Sequence, residues 1–226
     1  MSNELFGGRP VIEFSNSKDR RSFLRYAALI GVGGSLVAGT SSAFAASPSP
    51  SGSPSSNPAA SPAATPQFGE GDVGILNYAL TLEYLESTFY AMGVQGNLLG
   101  DTKKYIDPIA QHEAAHVQAI TGTLQKLGAQ PVAKPNFKFP EGTFTDKMTF
   151  LKTAMTFEET GVKAYHGQVT RIQSPQILAA AASIAGVESR HASVLNLILN
   201  QKPVPAPIEA NASMDEILTI VKPFLG

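Results

Sequence analysis

The sequence predicts an all-α fold: an antiparallel four-helix bundle with a long crossover between its second and third helices and a short fifth helix at the C-terminus. Three observations predict it. From Gly71 onward the apolar residues recur at helical spacing, with little of the alternation expected of strands. The connections are unequal, a few residues between helices 3 and 4 but roughly 18 between helices 2 and 3. Finally, the first half of the periodic region is echoed by the second at a fixed offset of 75 residues.

Helix 1 is predicted over about 72–92, with Asp72 as N-cap and Gly93 as its stop. Helix 2 is predicted over about 105–127, ending at Gly128, with Pro108 confined to its first turn because an interior proline breaks the ladder. Helix 3 spans about 146–172 and starts near Thr145 or Asp146. Helix 4 spans about 175–200, capped by Ser174 with Pro175 at its first position. A short fifth helix follows Ser213, where Ser213 and Glu216 have the spacing of a capping box. The short link between helices 3 and 4 predicts that they pack antiparallel, and the stretch "GAQPVAKPNFKFPEGTFT" is the long middle crossover. Its Phe137, Phe139 and Phe144 suit a cover for the site, a partner surface or a cap on the bundle.

Composition narrows the chemistry. The chain has 226 residues and a formal net charge of −1, which supplies no electrostatic case for a nucleic-acid partner. It has no cysteine, which excludes disulfides, thiolate-held zinc, iron–sulfur clusters, thiol nucleophiles and a lipoprotein anchor. The four histidines are His112, His116, His166 and His191, so any metal site must lean on carboxylates.

The N-terminal part reads as an address. Residues 1–45 hold "DRRSFLRYAALIGVGGSLVAGTSSAFA", with paired Arg20 and Arg21, a weakly apolar stretch from Ala27 to about Ala38, and a small-x-small end at Ala43-Phe44-Ala45. The apolar run of about 13 residues is too short to span a membrane. "RRSFLR" resembles a twin-arginine export signal, cleaved after Ala45, which implies a periplasmic, cell-wall-associated or extracellular protein. That route carries folded proteins and suits one loaded with a cofactor before export. Residues 46–69 are rich in Pro, Ser and Ala and lack a hydrophobic period, so they read as an extended linker to a domain at 70–226. From Ala46 onward 12 Lys/Arg face 15 Asp/Glu, a mildly acidic net charge of −3.

The echo carries the chemistry. Helix 1 contains "LEYLESTFY" with Glu83 and Tyr90, and helix 3 contains "FEETGVKAY" with Glu158 and Tyr165. Helix 2 contains "QHEAAH" with Glu113 and His116, and helix 4 contains "VESRH" with Glu188 and His191. All four pairs, 83/158, 90/165, 113/188 and 116/191, obey the same offset of 75. Glu and His three residues apart lie about 60° apart on one helix face, so both can reach one ion. Glu and Tyr seven apart lie nearly in line, which places the tyrosine two turns above the carboxylate as a neighbour of the site or a core aromatic. The echo selects Glu83 over Glu86, whose counterpart is Gly161, and Glu158 over Glu159, whose counterpart is Tyr84. Glu86 and Glu159 are expected at the surface or outside the ligand set. His112 is expected at the surface or in the outer layer of the site, and His166 in solvent.

On these residues the chain resembles the ferritin-like superfamily over about 70–200, in particular exported members related to the desiccation-related group. The resemblance implies a dinuclear carboxylate centre, one Glu from each of two helices plus Glu-x-x-His from each of the other two. Its metals would be two iron ions, or manganese or a mixed pair, as the oxygen and imidazole donors suit. Glu113 and Glu188 are the bridging carboxylates by their symmetric placement, Glu83 and Glu158 terminal ligands, and His116 and His191 bind one metal each. Tyr90 and Tyr165 flank the centre. The partners implied are metal ions and O₂ or peroxide, in ferroxidase or peroxide-detoxifying chemistry that protects against stress. No nucleic acid and no membrane span in the mature chain is expected, and a homo-oligomer is compatible with the fold. A reading of a different class is a non-enzymatic envelope protein for stress protection, with a structural or vestigial metal. The linker disfavours a storage cage.

Overall fold

The computed structural model describes residues 68–226. The predicted export signal and nearly all of the predicted linker lie outside the described residues. Five α-helices are described: α1 Gly71–Gly93, α2 Lys103–Lys126, α3 Lys147–Gln168, α4 Pro175–Ile198 and α5 Met214–Val221, with single 3₁₀ turns at Gly100–Thr102 and Lys222–Phe224. The architecture is the predicted all-α bundle with a crossover between α2 and α3. Among the described residues the only β-type pairing is one isolated antiparallel bridge, Phe137 to Leu225.

Local chemistry sets most of the boundaries. Asp146 caps α3, accepting from the amide of Thr149 at 2.7 Å and from its hydroxyl at 2.6 Å. Ser174 caps α4 with Pro175 in its first turn. Ser213 and Glu216 close both halves of a capping box on α5. Gly128, at φ +69°, takes the left-handed conformation that ends α2.

Three boundary details differ from the sequence-based expectation. Asp72 is not the N-cap of α1, a position held by Glu70; its carboxylate instead accepts the amides of Gln173 and Ser174, both at 2.8 Å. It thereby ties the start of α1 to the α3–α4 corner. That clasp helps explain the second difference: α3 stops at Gln168 rather than near 172, because the chain must turn through 169–171 to present the Ser174 amide to Asp72. Third, Pro108 lies one turn deeper in α2 than expected, since the helix begins at Lys103. The carbonyl it leaves without a donor belongs to Lys104, and both residues are exposed, so water can satisfy it.

α1 packs along α2, α3 along α4, and α1 crosses to α3. Two apolar clusters result. One is aromatic: Phe89 stacks on Phe150 at 4.5 Å between ring centroids and meets Phe157 edge-on at 5.0 Å. Phe137, Phe139 and Phe144 of the crossover, and Phe224 after α5, pack onto this cluster, so the crossover aromatics cap one end of the bundle. Gly93 is required there, because any side chain would run into the Phe150 ring. The other cluster is largely aliphatic, with Leu80, Ile120, Leu124 and Ile184. Each such buried side chain contributes about 1.5–3 kcal/mol. That burial offsets the desolvation of the polar groups held between the two clusters.

Candidate metal centre

The middle turns of the four long helices carry those polar groups. Glu83 on α1, Glu113 on α2, Glu158 on α3 and Glu188 on α4 are wholly buried, and His116 and His191 are nearly so. Their ligand atoms form two groups, each within 4.8 Å: Glu83, Glu113, His116 and Glu188, and then Glu113, Glu158, Glu188 and His191. Glu113 and Glu188 belong to both. Each imidazole turns Nδ1 inward. His116 Nδ1 lies 3.2 Å from Glu83 Oε2, 3.2 Å from Glu113 Oε2 and 3.1 Å from Glu188 Oε1. His191 Nδ1 lies 3.0 Å from Glu113 Oε1 and 3.1 Å from Glu158 Oε2. The structure thus brings together six of the eight residues that the 75-residue echo pairs, the four glutamates and the two histidines.

The tyrosines also reach the site, but crosswise. Tyr90 on α1 donates to Glu158 Oε1 on α3 at 2.5 Å, and Tyr165 on α3 donates to Glu83 Oε1 on α1. Neither serves the carboxylate of its own helix, as the in-line spacing suggested. Seven residues advance about 10.5 Å along a helix axis, which puts the carboxylate of the same helix out of hydroxyl reach. The pseudo-twofold relation of the hairpins instead sets each tyrosine beside the opposite carboxylate. One oxygen of Glu83 and of Glu158 is therefore held by a phenol, and the other faces the imidazoles.

Crowding of charge dominates the protonation states. Burial and the neighbouring Glu158 raise Glu113 to about 7. Burial, Glu113 and Glu158 raise Glu188 well above the carboxylate range. For Glu83 burial acts upward, but the close imidazole of His116 and the hydrogen bond from Tyr165 outweigh it and the pKa falls. Burial opposes charge on His191, yet the close carboxylates of Glu113 and Glu158 carry it up to about 9. His116 rises further, burial again being overcome by Glu83, Glu113 and Glu188.

These residues fit a pair of divalent cations. Glu83 Oε2, Glu113 Oε1 and both oxygens of Glu188 are buried without a hydrogen-bond partner. Three of the four lie near an imidazole nitrogen, but not in hydrogen-bond alignment. Buried carboxylates are costly unless paired. Four of them carry the charge that two divalent ions would neutralise, with both imidazoles neutral and Nδ1 free to bind. Oxygen donors with imidazole suit iron and manganese.

Two further residues belong to this region. Glu86 is only 3 % exposed, not a surface group. Its carboxyl is pushed well above the usual range by burial and by the charges of Glu188, Glu113, Glu158 and Glu83. The space it uses exists because its counterpart is Gly161, where a Cβ would sit 3.3 Å from Glu86 Oε1 and 3.0 Å from Glu188 Oε2. The pairing of Glu86 with a glycine in the echo was the signal that could have found it. His112 is exposed, as expected, yet its Nδ1 lies 2.9 Å from His191 Nε2. Burial and the neighbouring His191 and His116 lower its pKa. Glu159 is half-exposed and lies 3.8 Å from Lys163. His166, partly buried rather than free in solvent, contacts the Val162 carbonyl at 2.8 Å.

A comparison with curated proteins finds no match. A model of one protein family, described as ferritin-like domain, matches residues 71–201, more than half of the chain and all four long helices.

Proposed function

We propose, for a chain that belongs to the ferritin-like domain family, that its buried carboxylate and histidine cluster holds a dinuclear metal centre, di-iron before manganese or a mixed pair, that reacts with O₂ or peroxide. One observation carries the reading: four wholly buried carboxylates converge on two imidazoles, with oxygens that no protein group satisfies. Glu113 and Glu188 would be shared by the two ions, since each belongs to both ligand groups. Glu83 and His116 would complete one position, Glu158 and His191 the other. Bound there, two redox-active ions supply the two electrons that O₂ or peroxide takes up on reduction.

The chain's own groups prepare the centre. Tyr165 and Tyr90 fix one oxygen of each terminal carboxylate, which holds the other toward the imidazoles. The apolar clusters above and below limit water, which strengthens every charge interaction between them. The ferroxidase or peroxide-detoxifying outcome is proposed for an exported, stress-protective protein, since "RRSFLR" resembles a twin-arginine signal. No helix among the described residues is long and apolar enough to cross a membrane.

The test is to load the chain with Fe(II) without air, count the iron, then add peroxide or O₂ and follow the near-ultraviolet absorbance. Two irons per chain and an absorbance change within the mixing time support the reading. Bound iron that leaves the absorbance unchanged with either oxidant would make the metal structural, as in the non-enzymatic alternative.

A further inference from the structure

The 75-residue echo makes the two halves of the centre look equivalent, but the surroundings of the two imidazoles are not. His191 Nε2 lies 2.9 Å from His112 Nδ1, and the two rings are nearly parallel, 9° apart with centroids at 5.1 Å. His116 makes its polar contacts through Nδ1, and no hydrogen bond to its Nε2 is formed among the described residues. The echo explains the difference: the position equivalent to His112 is Val187, which offers no acceptor.

We infer that His112 is a positioning residue for His191 alone, and that it makes the Glu158–His191 position the tighter of the two metal positions. The inference rests on the dinuclear reading above. With Nδ1 of a neutral His191 facing the metal, its proton must sit on Nε2. That N–H donates to His112 Nδ1, and the exposed His112 ring turns its own Nε2 outward. The hydrogen bond fixes both the tautomer and the ring plane of His191, and it raises the basicity of the ligating nitrogen. Partners of this kind are worth about 10–100-fold in metal affinity. His116, lacking one, must select its tautomer and ring orientation on binding.

The test is an air-free Co(II) titration of the full chain, read by calorimetry and by the visible absorption of cobalt in its ligand field. The wild-type chain is expected to bind two cobalt ions in resolved steps. His112→Ala should weaken the tighter step about 10–100-fold, merging it with the weaker one and shifting the cobalt bands of that step. His112→Asn, whose Oδ1 can stand where Nδ1 stood, should restore both. His112 is exposed, so the melting temperature of the metal-free variants should match the wild type and exclude a folding defect. Identical titrations for wild type and His112→Ala overturn the inference, as does a His112→Asn titration no better than His112→Ala. A folded wild-type chain that binds no cobalt overturns the dinuclear reading itself, an outcome distinct from these.

Discussion

The hydroxyl of Tyr90, on α1, donates a 2.5 Å hydrogen bond to Glu158 on α3, and Tyr165 on α3 returns the same bond to Glu83 on α1. Each phenol therefore supports a buried carboxylate of the opposite hairpin. Tyr90→Phe should weaken metal at the Glu158–His191 position, and Tyr165→Phe at the Glu83–His116 position, each by about 10–100-fold. Step-resolved calorimetry of the two single variants checks this. The reverse assignment, each variant affecting the position formed by its own helix, would contradict the crosswise geometry.

Gly161→Ala probes the room made for Glu86. Alanine is the better helix former by about 1 kcal/mol, but its Cβ would press on Glu188 Oε2 and Glu86 Oε1. Both contacts are the far ends of flexible side chains, so the metal-free fold should shift its melting temperature by only a few degrees. Metal affinity should fall, because Glu188 is pushed from its place between the two positions. Thermal melts with and without metal separate the two effects.

Protons and metal compete for the same atoms. In the metal-free chain at neutral pH Glu113, at about 7, is about half protonated and His191, at about 9, carries its extra proton, and both must be free of these protons to ligate. Apparent metal affinity should rise with pH between about 7 and 9, by up to tenfold per unit for each proton displaced. Calorimetry in buffers of differing ionisation enthalpy counts the protons. The metal-free fold has the opposite trend. His191, Glu113, Glu188 and Glu86 all have raised pKa values. Their favourable contribution is complete below the unfolded values, near 4.5 for the carboxyls and 6.5 for the imidazole, and is lost as pH rises through the folded ones. Glu83, with its lowered pKa, acts in the other sense. The melting temperature of metal-free protein should therefore fall from pH 5 to pH 9, and bound metal should reverse the trend.

The export reading has its own check. Replacing Arg20 and Arg21 together by lysine should strand the chain inside the cell, seen by fractionation. Unchanged export would contradict a twin-arginine route.

The cluster of buried carboxylates and imidazoles was legible in the sequence because an offset of 75 residues recorded its symmetry: four pairs of chemically matched residues point to one place in the bundle more strongly than any single Glu-x-x-His does. What breaks that symmetry was harder to read. Glu86 and His112 have Gly161 and Val187 as their counterparts, so the echo that selected the clustered residues set these two aside. Their roles depend on packing between helices, which periodicity does not report. The tyrosine pairing was missed for the same reason, since spacing along one helix says nothing about which partner lies across the bundle. Helix ends followed local rules where a side chain caps its own helix, as at Asp146, Ser174 and Ser213. They departed where a long-range contact intervened, as Asp72 does at the α3–α4 corner.

The central claim is that Glu113 and Glu188 are shared by two metal positions while Glu83 and Glu158 serve one each. It is tested most directly by counting iron bound per folded chain, loaded air-free and freed of excess metal, in the wild type and in the four single Glu→Gln variants. The account predicts two irons in the wild type, about one in Glu83→Gln and in Glu158→Gln, and almost none in Glu113→Gln and Glu188→Gln. No iron on a folded wild-type chain, or the same loss in all four variants, would contradict it.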